Sequence, residues 1–255
     1  MRRRVAPALV LVGLIGAWEI AAQVDLLAEA LNLQPYLVPA PSAIAESLFS
    51  DRALLAADAL VTLIEVAAGF GLACACGFAI ACLMHLSPLA RDALYPLIVA
   101  SQTIPIIVIA PIAVVWFGFG IGPKLVIIAI VCFFPIAVNT LDGLASVDPA
   151  QRKMMRTLDA GRRRIFLRLE LPAAAPGFFT GAKISVAVAV IGAVFGEWAG
   201  ATEGLGHLIN TASSQYLTDR TFAAVFVLAV IAIALYGALA ALERRLVGWA
   251  RPKQP

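Results

Sequence analysis

Long apolar runs separated by short polar stretches dominate the chain. A helix needs about 20 mostly apolar residues to cross a membrane, and its backbone groups must bond within the segment because lipid offers no partners. Six runs meet this requirement, and we predict that each forms a membrane-spanning helix. They are Val5–Val24, Leu60–Met84, Pro96–Trp116, Leu125–Leu141, Phe178–Trp198 and Phe222–Leu242. The pattern therefore predicts an all-α membrane protein with six transmembrane helices in one bundle.

Prolines modify this pattern at two places. The third run contains Pro105 and Pro111, and neighbouring helices in a membrane bundle can satisfy the carbonyls that proline leaves free, so we expect a kinked third helix. Residues 25–59 are richer in acids and prolines, and Pro41 is followed by Ser42, as at a helix start. We expect an outer loop there, followed by a short amphipathic helix.

Composition agrees with a membrane protein. Hydrophobic residues make up 62% of the chain and charged residues 14%, whereas a soluble domain has about 45–50% apolar and about 25% charged residues. The basic start, Met1–Arg4, resembles a secretion signal, but no small-residue cleavage site follows the apolar stretch, which favours a retained first helix. The four cysteines lie in apolar runs without zinc-site spacing and are interpreted as small apolar fillers.

Basic residues concentrate in alternate loops. If the N-terminus lies inside the cell, residues 1–4, 85–95, 142–177 and 243–255 are inside and carry 15 lysines and arginines, against three in the outer segments. Cytoplasmic loops of membrane proteins carry such an excess, so both termini are predicted to be cytoplasmic.

The long loop before the fifth run has a pattern of its own. Asp148 is placed to cap a helix that begins at Pro149. A break near Asp159–Gly161 would precede a second short helix, Arg162–Leu169, with Ile165, Phe166 and Leu169 on one face and arginines on the other. Either this helix is presented to a cytoplasmic partner or it lies on lipid headgroups, and the residues alone leave both open.

The same loop resembles the cytoplasmic coupling loop of binding-protein-dependent ABC permeases. That family's pattern is Glu-Ala-Ala, three residues, Gly, nine residues, then an aliphatic residue, any residue and Leu-Pro. Leu169, Leu171 and Pro172 match its end, whereas Asp159 stands at the glycine position and 153–155 (Lys-Met-Met) at the Glu-Ala-Ala positions.

Further segments are similar to the nitrate/sulfonate/taurine branch of the family. They are Ser101–Pro105, Trp116–Gly120, Gly196–Ala201 and Gly204–Gly206. Cys132–Pro135, Thr218–Ala224 and Glu243–Arg244 are most similar to permeases for hydroxymethylpyrimidine-type thiamine precursors. The resemblance implies a type I, MetI-like importer permease: residues 1–58 as an N-terminal helix and periplasmic loop, 59–245 as a permease core with a coupling loop at 143–176, and 246–255 as a cytoplasmic tail.

The resemblance also implies partners and a location. We expect a homodimer in the lipid of a bacterial inner membrane, a cytoplasmic ATP-binding cassette subunit, a periplasmic substrate-binding protein, and no nucleic acid. The chain itself would not be an enzyme and would hold no metal or cofactor, because ATP would be bound by the partner. The expected solute is a small organic molecule, with a pyrimidine thiamine precursor first and sulfonate, taurine or nitrate otherwise.

Two sets of candidate site residues follow. The ATPase-coupling set is Asp159, Ala160, Gly161, Arg163, Ile165, Phe166, Leu169, Leu171 and Pro172. The candidate solute-pathway set is Glu65, Ser101, Gln102, Thr103, Pro105 and Glu197. A charge within the membrane usually faces protein or water, or else reaches to the interface, and for Glu19, Glu65, Lys183 and Glu197 the sequence does not decide between these placements.

Two other classes of protein are weighed against this interpretation. An ion-gradient-driven secondary transporter or channel could also have six helices, but no repeated pair of broken helices is evident. A membrane-embedded enzyme would need clustered catalytic residues, and the two histidines, His85 and His207, are far apart in sequence. The chain lacks the Gly-x-x-x-x-Gly-Lys-Ser/Thr phosphate loop, so energy from ATP must come from another subunit.

Overall fold

The computed structural model describes residues 2–250, and this part of the chain is helical and without strands. This confirms the predicted all-α class. The helices are α1 (Arg2–Gln23), α2 (Leu26–Leu31), α3 (Pro41–Ser50), α4 (Arg52–Leu86), α5 (Pro88–Ser101), α6 (Ile106–Phe117), α7 (Ile121–Ala145), α8 (Pro149–Thr157), α9 (Arg162–Ile165), α10 (Leu171–Trp198), α11 (Leu205–Ser214) and α12 (Thr218–Leu246). Short 3₁₀ turns cover Pro35–Leu37 and Gly248–Ala250, and residues 251–255 of the predicted tail lie outside the described part.

Four described helices are long and apolar enough to cross a membrane. They are Arg52–Leu86, Ile121–Ala145, Arg162–Trp198 and Thr218–Leu246. The pair α5 and α6 would make a fifth span if it crosses as one element, and α1 contributes a shorter apolar stretch, Leu9–Gln23. The predicted count of six spans therefore stays a prediction. The expected short helix after Pro41 is present as α3, whereas α11 was not predicted.

The third predicted span is broken rather than kinked. Helices α5 and α6 meet at an angle of 104° across a gap of four residues, Gln102–Pro105. Pro105 has no N–H and disfavours helical backbone at the residue before it, so the helix cannot continue through Ile104. Pro111 lies inside α6 without ending it. The sequence located the distortion and underestimated its size.

Chain contacts divide the protein into two compact units, each described here by itself. The first unit comprises the chain up to Val61 and Thr202–Ala229. In it, Arg220 donates two hydrogen bonds to the Asp51 carboxylate, at 2.8 and 3.0 Å. These bonds hold the pKa of Asp51 below its usual value. Asp58 accepts a hydrogen bond from the Gly204 N–H at 2.9 Å. These contacts join the starts of α11 and α12 to α3 and α4.

The first unit also gives Glu19 a partner. Its carboxylate accepts hydrogen bonds from the backbone N–H and the hydroxyl of Ser42, at 2.9 and 2.6 Å. Glu19 thereby satisfies a free N–H in the first turn of α3, which has no capping side chain of its own. The charge belongs to a helix cap between α1 and α3.

The second unit comprises Thr62–Ala201 and the chain from Val230 onward, and α7 packing on α10 forms its centre. The two backbones approach so closely that a Cβ on Gly177 would lie 2.3 Å from the Asn139 carbonyl oxygen, and one on Gly181 would lie 2.4 Å from that of Pro135. Only glycine leaves room for this approach. Lys183, another charge whose placement the sequence left undecided, forms an ion pair with Glu243 at 2.8 Å.

Substitution of Gly181 tests this packing. Gly181→Ala should lower the stability of the protein by about 1–3 kcal/mol, because the added methyl group meets backbone atoms that cannot rotate away. Gly237→Ala in α12 is the control, since a Cβ there has nothing within 4 Å. The measurement is the temperature at which the detergent-solubilised protein loses its monodisperse size-exclusion peak. Equal melting of both variants would contradict the close-packing argument.

Candidate functional site

Four of the predicted pathway residues, Ser101, Gln102, Thr103 and Pro105, lie at the break between α5 and α6. The Ser101 hydroxyl donates to the Ile98 carbonyl at 2.7 Å, and the Thr103 hydroxyl donates to that of Ala100 at 2.8 Å. Both hydroxyls thus bond back to the last turn of α5. The Gln102 side-chain amide donates to the Ser101 hydroxyl at 3.3 Å. Gln102 and Thr103 are exposed at the surface of the single chain.

Helix α6 begins at this break without a side-chain cap. Pro105 stands at its N-cap position and offers no hydrogen-bonding side chain. The first amide groups of a helix have no partner within the helix, and its start carries a partial positive charge. The break therefore presents backbone donors of α6 and the Gln102 amide, whereas the last carbonyls of α5 already accept hydrogen bonds from Ser101, Gln102 and Thr103. Broken helices at membrane depth occur where they line a cavity or are covered by protein.

The other two predicted pathway residues lie in a buried polar cluster, defined here as Thr62, Glu65, Lys124 and Glu197. Lys124 forms an ion pair with Glu65, and the Thr62 hydroxyl donates to the Glu197 carboxylate at 2.7 Å. Only 3% of Glu65 and 1% of Glu197 is exposed. Direct contact with a solute would therefore require α4, α7 and α10 to part. The polar cluster and the α5–α6 break are separate sets of residues.

Sequence reasoning missed Lys124 as the partner of Glu65. It assigned Lys124 to an outer loop, whereas the residue lies in the first turn of α7. The available indication was that an acid inside an apolar helix needs a partner, and that Lys124 directly precedes an apolar run. The pairing spans 59 positions of sequence, so periodicity within one helix cannot reveal it.

At the other end of the second unit, the long loop folds largely as expected. The Asp148 carboxylate accepts from the Ala150 N–H at 2.8 Å, which confirms the predicted cap, and Pro149 begins α8. The chain breaks after α8, with Asp159 in the left-handed conformation at φ 56°. Helix α9 then starts at Arg162, but it continues through a wide π-helical turn, Phe166–Glu170, into α10 rather than ending as a separate short helix.

The expectation that Ile165, Phe166 and Leu169 turn their shared apolar face outward is wrong. Ile165 is buried, and Phe166 and Leu169 are half-buried. Phe166 packs against a core that includes Met84 and Leu141. Because α9 runs on into α10, its apolar face continues the face that α10 turns toward the bundle. The exposed apolar residues of the loop are Met154 (59% exposed), Leu158 (69%) and Leu167 (46%).

A carboxylate node anchors the loop to the helix ends. The Glu170 carboxylate lies 2.9 Å from the His85 ring nitrogen Nε2 and accepts a hydrogen bond from Arg152 Nε at 2.7 Å. Arg152 also donates to the Leu144 carbonyl at 3.2 Å, and Arg162 donates to the Leu86 carbonyl at 2.5 Å. Sequence reasoning missed this node, because His85, Arg152 and Glu170 lie on three different elements. The loop is therefore a fixed extension of the bundle.

The remaining coupling candidates lie at the bends of this loop. Ala160 is buried, whereas Gly161 and Arg163 are exposed. Leu171 and Pro172 begin α10, where it continues from the π-helical turn. The structure thus places the coupling set along one continuous turn-and-helix segment, with part of it facing the bundle.

Comparison with known proteins decides the family. The family described as "Binding-protein-dependent transport system inner membrane component" matches residues 69–248. The chain belongs to this family. Over 97% of its length the permease is 38% identical to the formylaminopyrimidine transport permease protein ThiX of Halalkalibacterium halodurans, of which it covers 96%. Over 68% of its length it is 34% identical to the taurine transport system permease protein TauC of Escherichia coli, of which it covers 63%.

A chain of a solved ABC transporter structure has a similar fold. The permease matches a chain of the inward-facing MetNI methionine ABC transporter with a TM-score of 0.64 at 20% identity, over 76% of this permease and 96% of that chain. This confirms the MetI-like bundle that the sequence predicted.

The comparisons confirm the predicted class of function. The chain is the membrane-spanning permease component of an ATP-driven importer for small solutes, located in the inner membrane, and the ATPase activity resides on a separate subunit. The importer works with an ATP-binding subunit and a substrate-binding protein. The alternative of a secondary transporter or channel is not supported.

The buried polar cluster provides a test of its own geometry. Lys124→Met should destabilise the permease by about 3–5 kcal/mol, because it leaves the Glu65 carboxylate buried without its cation. The double variant Glu65→Leu/Lys124→Met should recover most of this loss, since both charges are then removed. Lys153→Met, at an exposed lysine of α8, is the control. Melting of the solubilised variants measures the effect, and a double variant no more stable than Lys124→Met would contradict the pairing.

Proposed function

We propose that the permease carries a small, uncharged pyrimidine-type solute along a pathway that includes the α5–α6 break. The observation that carries this proposal is the chemistry of the break. Backbone amides at the start of α6 and the Gln102 amide lie there, and a carboxamide offers both donors and an acceptor. Ring nitrogens and an exocyclic amino group need that combination.

The charge pattern favours this solute class over a sulfonate. No lysine or arginine occurs between Arg91 and Lys124, a stretch that contains the whole break, and Lys124 is occupied by Glu65. A sulfonate at the break would therefore lack a cationic partner, and a buried unpaired anion is costly. A relative that this chain matches over nearly its full length is a formylaminopyrimidine permease, whereas the match to the taurine permease covers 68% of the chain.

A second copy of this chain would complete the pathway. Large apolar side chains near the end of α6 are strongly exposed in the single chain, among them Val115 (81%), Trp116 (76%) and Phe119 (81%). The residues of the break, Gln102–Pro105, are also exposed in the single chain. Within the membrane, the backbone at a helix break must be buried in protein or line a water-filled cavity. A helix of a partner chain could bury the break or enclose such a cavity with it. We therefore place the pathway between two permease chains.

The long loop is proposed to lie in the cytoplasm and to dock on the ATP-binding subunit. The 15-to-three distribution of basic residues supports this orientation. Met154 and Leu158 are the proposed anchors, because they are the most exposed large apolar residues of the segment, whereas Phe166 of the coupling set packs inside the bundle. ATP is bound by that subunit, so the permease needs no cofactor of its own, and the substrate-binding protein approaches the opposite face.

Uptake measurements test the pathway. Gln102→Leu should raise the KM for a hydroxymethylpyrimidine about five- to tenfold, because the solute loses a hydrogen-bonding partner. Proteoliposomes containing the permease, its ATP-binding subunit and its binding protein provide the assay. Gln151→Leu, which removes an exposed glutamine of α8, is the control. An unchanged KM for Gln102→Leu, or equally good uptake of taurine, would refute the proposed pathway and solute.

Binding of the ATP-binding subunit tests the docking segment. Met154→Ala/Leu158→Ala should weaken its binding to inside-out membrane vesicles by about tenfold or more, since apolar anchors dominate such contacts. Phe166→Ala should instead lower the melting temperature, because that ring packs inside the bundle. Leu60→Ala is the control, since Leu60 is 58% exposed and lies in the first unit. Undiminished binding to the Met154/Leu158 variant, or binding to right-side-out vesicles, would contradict this assignment.

A further inference from the structure

The loop end of the second unit contains a basic cleft to which the proposed docking anchors, Met154 and Leu158, do not contribute. It has a volume of about 500 Å³, within the range of small-molecule sites. Five elements contribute to it: the end of α4, the start of α5, the end of α7, α8, and the segment from α9 to the π-helical turn. Its ionisable lining residues are His85, Arg91, Arg152, Arg156, Arg162 and Glu170.

The charges in this cleft do not cancel. Four arginines face one glutamate, which leaves three positive charges when His85 is neutral. Glu170 is already matched by Arg152 and His85, and Arg162 is bonded to a backbone carbonyl. Arg91 and Arg156 form no ion pair among the residues that the structure describes. Like charges held together in a concave site repel one another, and an anion between them relieves that repulsion.

The cleft is distinct from the proposed docking surface. The exposed apolar residues of the loop, Met154, Leu158 and Leu167, do not line it. In this cleft, guanidinium groups converge on a hollow. Guanidinium groups bind phosphate oxygens in pairs and with defined geometry. The occupant that fits is therefore a compact anion rather than a protein segment.

We infer that the cleft between Arg91 and Arg156 is a binding site for a phosphate group, carried by a free phosphate compound or by an anionic lipid headgroup. Arg162 also lines the cleft, and an ion pair with Glu170 holds Arg152 in place. A phosphate group bound there links the start of α5 to α8. Since α8 belongs to the proposed docking segment and α5 leads to the helix break, occupancy restrains the movement of one relative to the other.

Two arms of one experiment distinguish the sources of the phosphate group. The full-length permease is placed in phosphatidylcholine nanodiscs and titrated calorimetrically with inorganic phosphate against a chloride background. In parallel, nanodiscs containing phosphatidylglycerol and no phosphate are analysed by native mass spectrometry for lipid retained on the protein. The test variant is Arg91→Gln/Arg156→Gln. The control is Arg163→Gln/Arg168→Gln, which removes the same amount of charge from the long loop, outside the cleft.

Saturable phosphate binding that weakens at least tenfold in the test variant and not in the control supports a free phosphate compound as the occupant. Retention of phosphatidylglycerol that is lost only in the test variant supports a lipid headgroup. Both conclusions require that, in the absence of anion, the test variant has the same melting temperature as the wild type. The inference is overturned if neither arm shows specific binding, or if test and control variants bind alike. It is also overturned if the test variant keeps its anion binding and loses the ATP-binding subunit, since the cleft is then a protein docking surface.

Discussion

The close approach of α7 and α10 is the constraint on which the rest of the second unit depends. Gly143, Gly177 and Gly181 allow backbone to meet backbone, with Ala174 seated against Gly143. In lipid, small residues favour helix association because they permit such packing and bring polar groups within reach. Ser185 and Cys132 use that proximity: the Ser185 hydroxyl donates to the Cys132 carbonyl at 2.7 Å, and the Cys132 thiol donates to the Ser185 carbonyl at 3.3 Å. Both functional ends of the unit are extensions of this pair.

The polar cluster and the long loop, at the two ends of α7 and α10, are mechanically coupled, because closely packed helices move as rigid bodies. At one end, Lys124 in the first turn of α7 and Glu197 in the last turn of α10 hold the polar cluster. At the other, α7 leads into α8, and the Glu170 node precedes α10. A displacement imposed on the loop therefore moves the α7–α10 pair as a body. Helix α6, which packs on α7 beside the break, follows that movement.

Hydropathy predicted most of the spans because lipid imposes one requirement on every residue of a run. Features that depend on a distant neighbour escaped it. The spacing of Ile165, Phe166 and Leu169 correctly indicated a shared face, but periodicity does not tell what that face meets, and the π-helical turn joins it to α10. Lys124 was assigned to a loop because its partner lies on another helix. Pro105 marked the distortion of the third span, whereas the angle depends on how α6 packs against α7.

The 104° break has a consequence for how the protein enters the membrane. Helix α5 has 14 residues and α6 has 12, which correspond to about 21 and 18 Å at 1.5 Å per residue. Neither arm can cross a hydrocarbon core of about 30 Å, and together they meet lipid with uncovered backbone at the bend. The translocation machinery therefore cannot release this segment as an independent stop-transfer helix. Its stable insertion is therefore expected to depend on the packing of α6 against α7, which follows it in the chain.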